Sequence, residues 1–196
     1  MKTFEIRAAQ DGADYTAAAQ LFREYAGTLG VDLGFQEFEA ELRDLPGMYG
    51  PPQGLLVLAW PATPLDVARR DPLPAGGAAG AVGAGEAGRT APVGCAAVRS
   101  LDGGDCEMKR LYVRDPARGS GLGRGLALAV IDAARVLGYR RMRLDTLGRM
   151  TAARALYASM GFVETPAYYD NPLPDVRYMA LELGATSAGG ARCSVC

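Results

Sequence analysis

Histidine is absent from this chain of 196 residues. Its absence excludes serine–histidine–aspartate and cysteine–histidine catalysis, and it excludes any metal site with an imidazole ligand. Acid–base chemistry in this protein must therefore use aspartate, glutamate, tyrosine, cysteine, an amine or water.

Cysteine is scarce, with four residues in the whole chain. Cys95 and Cys106 fall inside apolar, strand-like runs, where we predict small buried core residues. Cys193 and Cys196 form a lone CxxC pair in a tail of glycine, alanine and serine. Because neither a second pair nor a histidine accompanies them, we predict no metal site and no redox role there.

An excess of charge of one sign is also missing, since the net charge is −1 and the isoelectric point is about 5.6. That balance argues against a broad nucleic-acid-binding face. No apolar run approaches the roughly 18 residues of a membrane span, and the charged N-terminal residues do not form a signal peptide. We expect a soluble, cytoplasmic protein without a membrane or nucleic-acid partner.

Sustained apolar periodicity is missing from residues 62–91, which are dominated by proline, glycine and alanine. We predict a flexible insertion, because such a segment buries too little surface to offset its ordering entropy. Its Gly83–Gly88 stretch spells GxGxxG, but a dinucleotide fingerprint must follow a strand and open a helix. We expect a linker there, with a nucleotide site as the alternative. One domain is predicted over residues 1–184, followed by a disordered tail over residues 185–196.

The rest of the chain alternates between strand and helix patterns. Apolar spacing predicts strands over residues 3–9, 54–60, 92–101, 105–113, 140–146, 162–167 and 176–183. It predicts helices over residues 11–29, 121–137 and 149–160, and a short helix that ends before Pro46. Helix 121–137 is predicted to bury Leu122, Leu126, Ala129, Val130, Ala133 and Leu137. Because helices and tight turns both join the strands, we predict an α/β fold with a mixed sheet.

Glycine is concentrated in residues 114–125, RDPARGSGLGRG, between a predicted strand and a predicted helix. Glycine lets backbone N–H groups approach a ligand, and the helix start adds partial positive charge. Arg118 and Arg124 add full charges, so the segment is suited to a diphosphate. No Gly-Lys-Ser/Thr follows, which disfavours nucleotide hydrolysis. A glycine-rich turn without a ligand is the alternative.

Two motifs and the order of elements carry a family resemblance. Arg118-Gly-Ser-Gly121-Leu-Gly123 fits the loop pattern Arg/Gln-x-x-Gly-x-Gly/Ala, and Leu156-Tyr157-Ala-Ser-Met-Gly161-Phe162 fits LYxxxGF. Over residues 3–183 the chain resembles the GNAT (Gcn5-related) N-acetyltransferase superfamily, in particular an uncharacterised bacterial subgroup. The resemblance implies a mixed, mostly antiparallel sheet flanked by helices, whose fourth and fifth strands splay apart.

The same resemblance implies that acetyl-CoA is the cosubstrate and lies between the splayed strands. The residues that it assigns to the coenzyme are Leu111, Tyr112, Val113, Arg118, Gly119, Ser120, Gly121, Leu122, Gly123, Arg124, Thr146 and Arg149. Many members carry asparagine where this chain has Met150, so Thr146 or Arg149 is expected to replace that contact. Arg140, Arg141 and Arg143 either bind the coenzyme's terminal phosphate or form a solvated face, and the solvated face is the expectation.

The resemblance implies transfer of the acetyl group to a primary amine of a small molecule, an amino acid or a peptide. Tyr157 is expected to protonate the departing thiolate, with an ordinary core tyrosine as the alternative. The acceptor is expected to contact residues 29–35 and 168–174. A non-catalytic acyl-CoA sensor on the same fold is the alternative function, and a homodimer is left open.

Glu107 is the candidate base, because its spacing from the glycine loop is similar to that of the glutamate base in histone-modifying members. Strand alternation would place it on one face with Lys109, Leu111 and Val113, so a cross-strand salt bridge is the competing interpretation. Asp145, on the fifth strand, and water are the alternatives for the base, and binding of the substrate amine is an equal alternative role for Asp145.

Overall fold

The computed structural model describes residues 3–30, 34, 37–62 and 90–184. The predicted insertion, the predicted tail and the CxxC pair lie outside these ranges, apart from a few residues that flank the insertion. Within the described ranges, no helix is long and apolar enough to cross a membrane.

A seven-stranded sheet forms the centre of the molecule. Its strands are β1 (Phe4–Ala8), β2 (Leu55–Pro61), β3 (Gly94–Ser100), β4 (Asp105–Val113), β5 (Arg141–Leu147), β6 (Val163–Thr165) and β7 (Val176–Glu182). The spatial order is β1-β2-β3-β4-β5-β7-β6, and β4 with β5 is the parallel pair among otherwise antiparallel neighbours. The predicted mixed, mostly antiparallel sheet is confirmed.

Helices cover both faces of this sheet. They are α1 (Gly12–Leu29), α2 (Phe38–Arg43), α3 (Leu45–Tyr49), α4 (Leu122–Val136) and α5 (Thr151–Ser159). One buried cluster joins α1 and α3 to the sheet, with Phe22 and Tyr49 against Leu58. A second cluster lies on the opposite face, where Leu126 of α4 packs with Val98 and Met142. The sheet is therefore the middle of three layers.

Short-range signals set the ends of the first helices. The Asp11 side chain caps α1 by accepting the Asp14 N–H at 2.9 Å, and Gly30 ends the helix with a φ of 62°. The short helix predicted to end before Pro46 is α2, which ends at Arg43, but a separate helix that was not predicted, α3, follows with Pro46 in its first turn. Proline is tolerated there, since the amides of a first turn have no intrahelical acceptor.

The core face of α4 is rotated from the predicted one. Leu137 is 38% exposed, and Ala129 and Ala133 are only partly buried. The side chains buried instead are Ala127, Ile131 and Ala134. Because apolar residues surround much of this helix, their spacing alone does not specify which side faces the sheet.

A β-bulge interrupts β4. Cys95 pairs with Tyr112 and Ala97 pairs with Lys109, so β4 carries one more residue than β3 between these pairs. Arg110 lies in the bulge with a left-handed φ of 58°.

The extra residue reverses the alternation of side chains along β4. Before the bulge, Met108 packs in the α4-side core, so Glu107 and Lys109 point to the α1 side. After the bulge, Leu111 packs in the α4-side core and Tyr112 in the α1-side core. The prediction that Leu111 and Val113 share a face with Glu107 is therefore wrong, because regular alternation does not continue through a bulge.

β4 and β5 pair over a short distance and then separate. Their ladder joins Asp105, Cys106 and Glu107 to residues 141–143, whereas β4 continues to Val113 and β5 to Leu147. Beyond this ladder β4 stays paired with β3 and β5 stays paired with β7, so the sheet opens between β4 and β5. The predicted splay of these strands is confirmed.

Candidate active site

The glycine loop connects β4 to α4 with its amides exposed. Gly119 and Gly121 have φ values of 74° and 84°, which favour glycine. α4 starts at Leu122 without a side-chain cap, and its first backbone hydrogen bond runs from Gly125 N to Gly121 O at 3.1 Å. The preceding amides of the helix consequently have no intrahelical acceptor and sit at the positive end of the helix dipole.

A groove of about 720 Å³ lies between this loop, the end of β4 and the start of α5. We call it the loop groove. The predicted coenzyme residues that line it are Leu111, Tyr112, Val113, Arg118, Gly119, Gly121, Leu122, Gly123, Arg124 and Arg149. Ser120 is not part of its lining and instead donates to Ala117 O at 2.6 Å. Thr146 lines an adjoining cavity, and its hydroxyl faces the sulfur of Met150 at 3.8 Å.

Arginine side chains frame the loop groove. Arg118 is 53% exposed, bonds to Asp115 at 2.7 Å and donates to Val113 O. Arg124 donates to Ser159 Oγ at 2.9 Å, and Arg149 donates to Leu29 O at 2.6 Å. The guanidinium groups are therefore held at the groove by weak, exposed contacts that an anion can replace.

The three arginines near the start of β5 lie outside the lining of the loop groove. Arg141 and Arg143 both donate to Asp105 Oδ2, at 3.0 and 2.7 Å, and Arg140 donates to Gly103 O. Burial acts to raise the pKa of Asp105, but these two guanidinium groups outweigh burial and lower it. The contacts favour the expected solvated, structural role over binding of a terminal phosphate.

A small cavity of about 40 Å³ fills the space where β4 and β5 diverge, and we call it the strand cavity. Tyr157 of α5 lines it, is 8% exposed, and packs its ring against Phe162 with centroids 5.7 Å apart. Burial raises the pKa of Tyr157 well above its ordinary value, and the nearby Tyr25 and Asp145 add to the shift. Its hydroxyl therefore stays protonated at neutral pH and can act as a proton donor.

Lys109, at the far side of the strand cavity, lies between two carboxylates. Lys109 Nζ is 3.2 Å from Asp145 Oδ1 and 3.5 Å from Glu107 Oε1. Asp145 lines the strand cavity together with Tyr157, whereas Glu107 does not. Lys109 is 7% exposed and Glu107 is 1% exposed. Buried charges of this kind need partners, and these two are compensated by each other and by their charged neighbours.

Glu107 is surrounded by donors. Its Oε2 accepts from Arg99 Nε at 2.8 Å, and its Oε1 accepts from the Tyr168 hydroxyl at 2.6 Å. Burial and the Glu107 carboxylate raise the pKa of Tyr168. These contacts therefore favour the competing interpretation, in which Glu107 is a salt-bridge residue. Its partners are Arg99 and Tyr168 as well as Lys109.

A third cavity of about 330 Å³ opens beside Glu107, and we call it the tyrosine pocket. Its lining consists of Glu37, Glu41, Arg99, Leu101, Glu107, Lys109, Arg110, Tyr168 and Tyr169. Tyr168 and Tyr169 meet edge to face at 5.2 Å, and both pack on Tyr178. Tyr168 and Tyr169 of the predicted acceptor segment 168–174 thus line this pocket, while most of the other predicted segment, 29–35, lies outside the described residues.

The sequence did not indicate that Glu41 and Arg110 belong near the site. Arg110 Nε donates to Glu41 Oε1 at 2.9 Å and its Nη2 donates to Oε2, while Tyr49 also donates to Glu41 at 2.6 Å. Burial acts to raise the pKa of Glu41, but Arg110 and Tyr49 outweigh it and lower the pKa. The only sign of this ion pair in the sequence was that each of the two charged residues stands at an apolar position, and these positions are 69 residues apart.

Comparison with sequence families identifies close relatives. A family model described as the acetyltransferase (GNAT) family matches residues 39–162. An uncharacterised N-acetyltransferase of Schizosaccharomyces pombe is 38% identical over 179 residues, which cover 91% of this chain and 92% of that protein.

Solved structures share the fold at low sequence identity. A GNAT-family acetyltransferase from Staphylococcus aureus has a TM-score of 0.67 at 16% identity, over 93% of this chain and 100% of its own. A Salmonella typhimurium protein solved with its cofactor acetyl-CoA has a TM-score of 0.57 at 23% identity, over 96% and 98%. These structures establish the architecture.

Proposed function

The chain belongs to the GNAT acetyltransferase family, and on that premise we propose that it transfers an acetyl group from acetyl-CoA to a primary amine. One observation carries this proposal: three cavities follow one another through the splay of β4 and β5. The loop groove and the strand cavity share Tyr25, Leu29 and Leu111, and the strand cavity and the tyrosine pocket share Lys109 and Arg110. A donor and an acceptor that enter from opposite sides would meet at Tyr157.

The loop groove fits the donor. In the proposal, the amides of Gly121, Leu122 and Gly123 bind the diphosphate, because α4 leaves them without acceptors and its dipole favours an anion. Arg118 supplies a guanidinium at the same rim. The unpaired edge of β4 after the splay offers backbone groups to the pantetheine arm. When bound, acetyl-CoA supplies an acetyl group activated as a thioester.

Tyr157 is the proposed general acid. Its hydroxyl lies at the junction of the two splayed strands and stays protonated at neutral pH, so it holds a proton where the thiolate would leave. Its ring is fixed by Phe162 and by the walls of the cavity, so the proton is delivered from a defined position.

Asp145 is the better placed of the two candidate bases. It lines the strand cavity with Tyr157, and its carboxylate keeps 16% of its surface exposed. Glu107 is the less favourable base because Arg99, Lys109 and Tyr168 already occupy its oxygens. We propose that Asp145 accepts the proton of the amine, directly or through water, and that Glu107 orients the residues around it.

The tyrosine pocket is the proposed acceptor site. It opens next to Lys109, it has room for a small molecule, and its walls combine tyrosine rings with charged groups. Its volume of about 330 Å³ suits an amine or an amino-acid-like acceptor.

Acetyl-CoA binding and free thiol release together test the proposal. Acetyl-CoA that binds the native state should raise the thermal midpoint, by an amount equivalent to about 2.7 kcal/mol at a concentration of 100 Kd. Thiol release should then require an amine from a panel of small amines, amino acids and short peptides. Binding without release across the whole panel would instead favour the acyl-CoA sensor.

Replacement of Tyr157 by phenylalanine tests the proposed acid. The ring and its packing against Phe162 are retained, so stability and acetyl-CoA binding should stay close to wild type, while kcat should fall about 100-fold or more. Tyr139→Phe is the matched control, because the Tyr139 hydroxyl donates to Gln53 O at an exposed position away from the three cavities. An unchanged kcat in Tyr157→Phe would remove this residue from the mechanism.

A further inference from the structure

Arg99 is the exposed cation of the tyrosine pocket. Among the described residues three cations line the pocket, and two of them are sequestered: the side chains of Lys109 and Arg110 are 7% and 4% exposed. The Arg99 side chain is 32% exposed. An anionic group that enters this pocket therefore meets Arg99 before any other positive charge in its lining.

The Arg99 guanidinium is also fixed in orientation. Its Nε and Nη2 both approach Glu107 Oε2, at 2.8 and 2.7 Å, and Glu107 is itself immobilised by Tyr168 and Lys109. These contacts use one edge of the guanidinium and leave donors on the other edge for a ligand. A fixed planar fork of this kind is suited to a carboxylate.

We infer that the acceptor carries a carboxylate that Arg99 binds, and that Arg99 thereby selects among amines. This inference rests on the proposed function. Zwitterionic acceptors fit the charges of the pocket, where Glu37, Glu41 and Glu107 offset the three cations. A zwitterion leaves that balance unchanged, whereas a simple alkylamine adds one uncompensated positive charge.

The position of Arg99 also indicates how far the carboxylate lies from the amine. Arg99 pairs directly with Glu107, and Lys109, at the junction with the strand cavity, lies two residues further along β4. Lys109 lines both the tyrosine pocket and the strand cavity, whereas Arg99 lines the tyrosine pocket and not the strand cavity that holds Tyr157. An acceptor whose amine passes this junction while its carboxylate stays at Arg99 needs a spacer of several carbons. The geometry therefore favours ω-amino acids, or amino acids with a side-chain carboxylate, over the α-carboxylate of glycine.

A matched acceptor series tests this selection. We would measure kcat/KM by thiol release with acetyl-CoA for glycine, β-alanine, γ-aminobutyrate and δ-aminovalerate, each against the alkylamine without the carboxylate. In the wild-type protein, kcat/KM should be at least tenfold higher for a longer ω-amino acid than for the matching alkylamine. This ratio should exceed the corresponding ratio for glycine and its alkylamine. Equal kcat/KM values for acids and alkylamines would overturn the inference while leaving the acetyltransferase proposal intact. If none of the amines in the series gives thiol release, the reaction on which the inference rests is removed instead.

Variants at Arg99 assign the preference to this residue. Arg99→Gln should abolish the preference through a rise of tenfold or more in KM for the acid, and Arg99→Lys should retain part of it. Within each variant, kcat/KM for the acid is divided by kcat/KM for the alkylamine. A general loss of activity from disturbing Glu107 therefore cancels in this ratio. Arg135→Gln is the control, because Arg135 pairs with Asp132 on α4 and does not line the tyrosine pocket. A wild-type ratio in Arg99→Gln would overturn the assignment to Arg99.

Discussion

Replacement of Arg110 by methionine tests the ion pair that holds the bulge of β4 against α2. The Arg110 and Glu41 side chains are 4% and 3% exposed, and both oxygens of Glu41 accept from the guanidinium. Methionine fills much of the same volume but leaves the Glu41 carboxylate buried without its guanidinium, while the Tyr49 hydroxyl still donates to it. Removal of one member of such a pair costs about 3–5 kcal/mol.

Urea unfolding measures this loss directly. With a slope of about 2 kcal/mol per M, the midpoint of Arg110→Met should fall by about 2 M. Arg114→Met is the matched control, because Arg114 also forms a two-pronged pair, with Glu24, at side chains that are 25% and 32% exposed. A partly exposed pair should cost at most about 1 kcal/mol. Equal losses in the two variants would refute the reasoning from burial.

The pH dependence of the stability difference between wild type and Arg110→Met is a second readout. Arg110 and Tyr49 lower the pKa of Glu41 in the folded protein despite its burial. The ionised pair therefore stabilises the fold above the unfolded-state pKa of about 4.3, and this contribution is lost as the pH falls through the folded-state pKa. The stability gap between wild type and Arg110→Met should narrow as the pH drops below about 4.3. A gap that widens on acidification would contradict the assignment.

Three further substitutions test the two candidate bases and the proposed diphosphate site. Asp145→Asn should lower kcat by about 100-fold with little change in unfolding midpoint, whereas Glu107→Gln should mainly lower the midpoint because it disrupts contacts to Arg99 and Tyr168. The reverse pattern in kinetics and urea unfolding would return the role of base to Glu107. Gly123→Val should weaken acetyl-CoA binding at least tenfold by calorimetry, since the added Cβ meets its nearest neighbours at an ordinary 3.8 Å but its methyl groups enter the loop groove. Unchanged affinity would argue against a diphosphate at this turn, and Gly12→Val in the open first turn of α1 is the control.

The glycine loop could be predicted from the sequence because its properties are local. A strand, a turn that needs left-handed glycines and a helix start lie within a short stretch, and Gly119, Gly121 and α4 have the expected conformations. Strand and helix positions followed from apolar spacing for the same reason. The missed helix α3 also has a local cause: a proline can end one helix or begin the next, and after α2 ends at Arg43, Pro46 lies in the first turn of α3.

The arrangement of charges around Tyr157 could not be predicted, because one inserted residue controls it. Without the bulge at Arg110, strict alternation would put Leu111 beside Lys109 and would turn Tyr112 to the opposite face. The bulge instead places Lys109 and Arg110 together on the α1 side of the sheet, where Glu41 of a distant helix neutralises Arg110.

This pairing has a consequence for the chemistry. Since Arg110 is occupied by Glu41, Lys109 is the cation left to bridge Glu107 and Asp145, and the two carboxylates are held on either side of the passage between the cavities. Alternation along β4 assigns Glu107 a salt-bridge partner correctly, but it does not bring Asp145 to the same lysine. That contact follows from the register of the β4–β5 ladder, in which Glu107 lies opposite Arg143. Two residues further along each strand Lys109 reaches Asp145, so the pairing of the two strands sets the position of the proposed base.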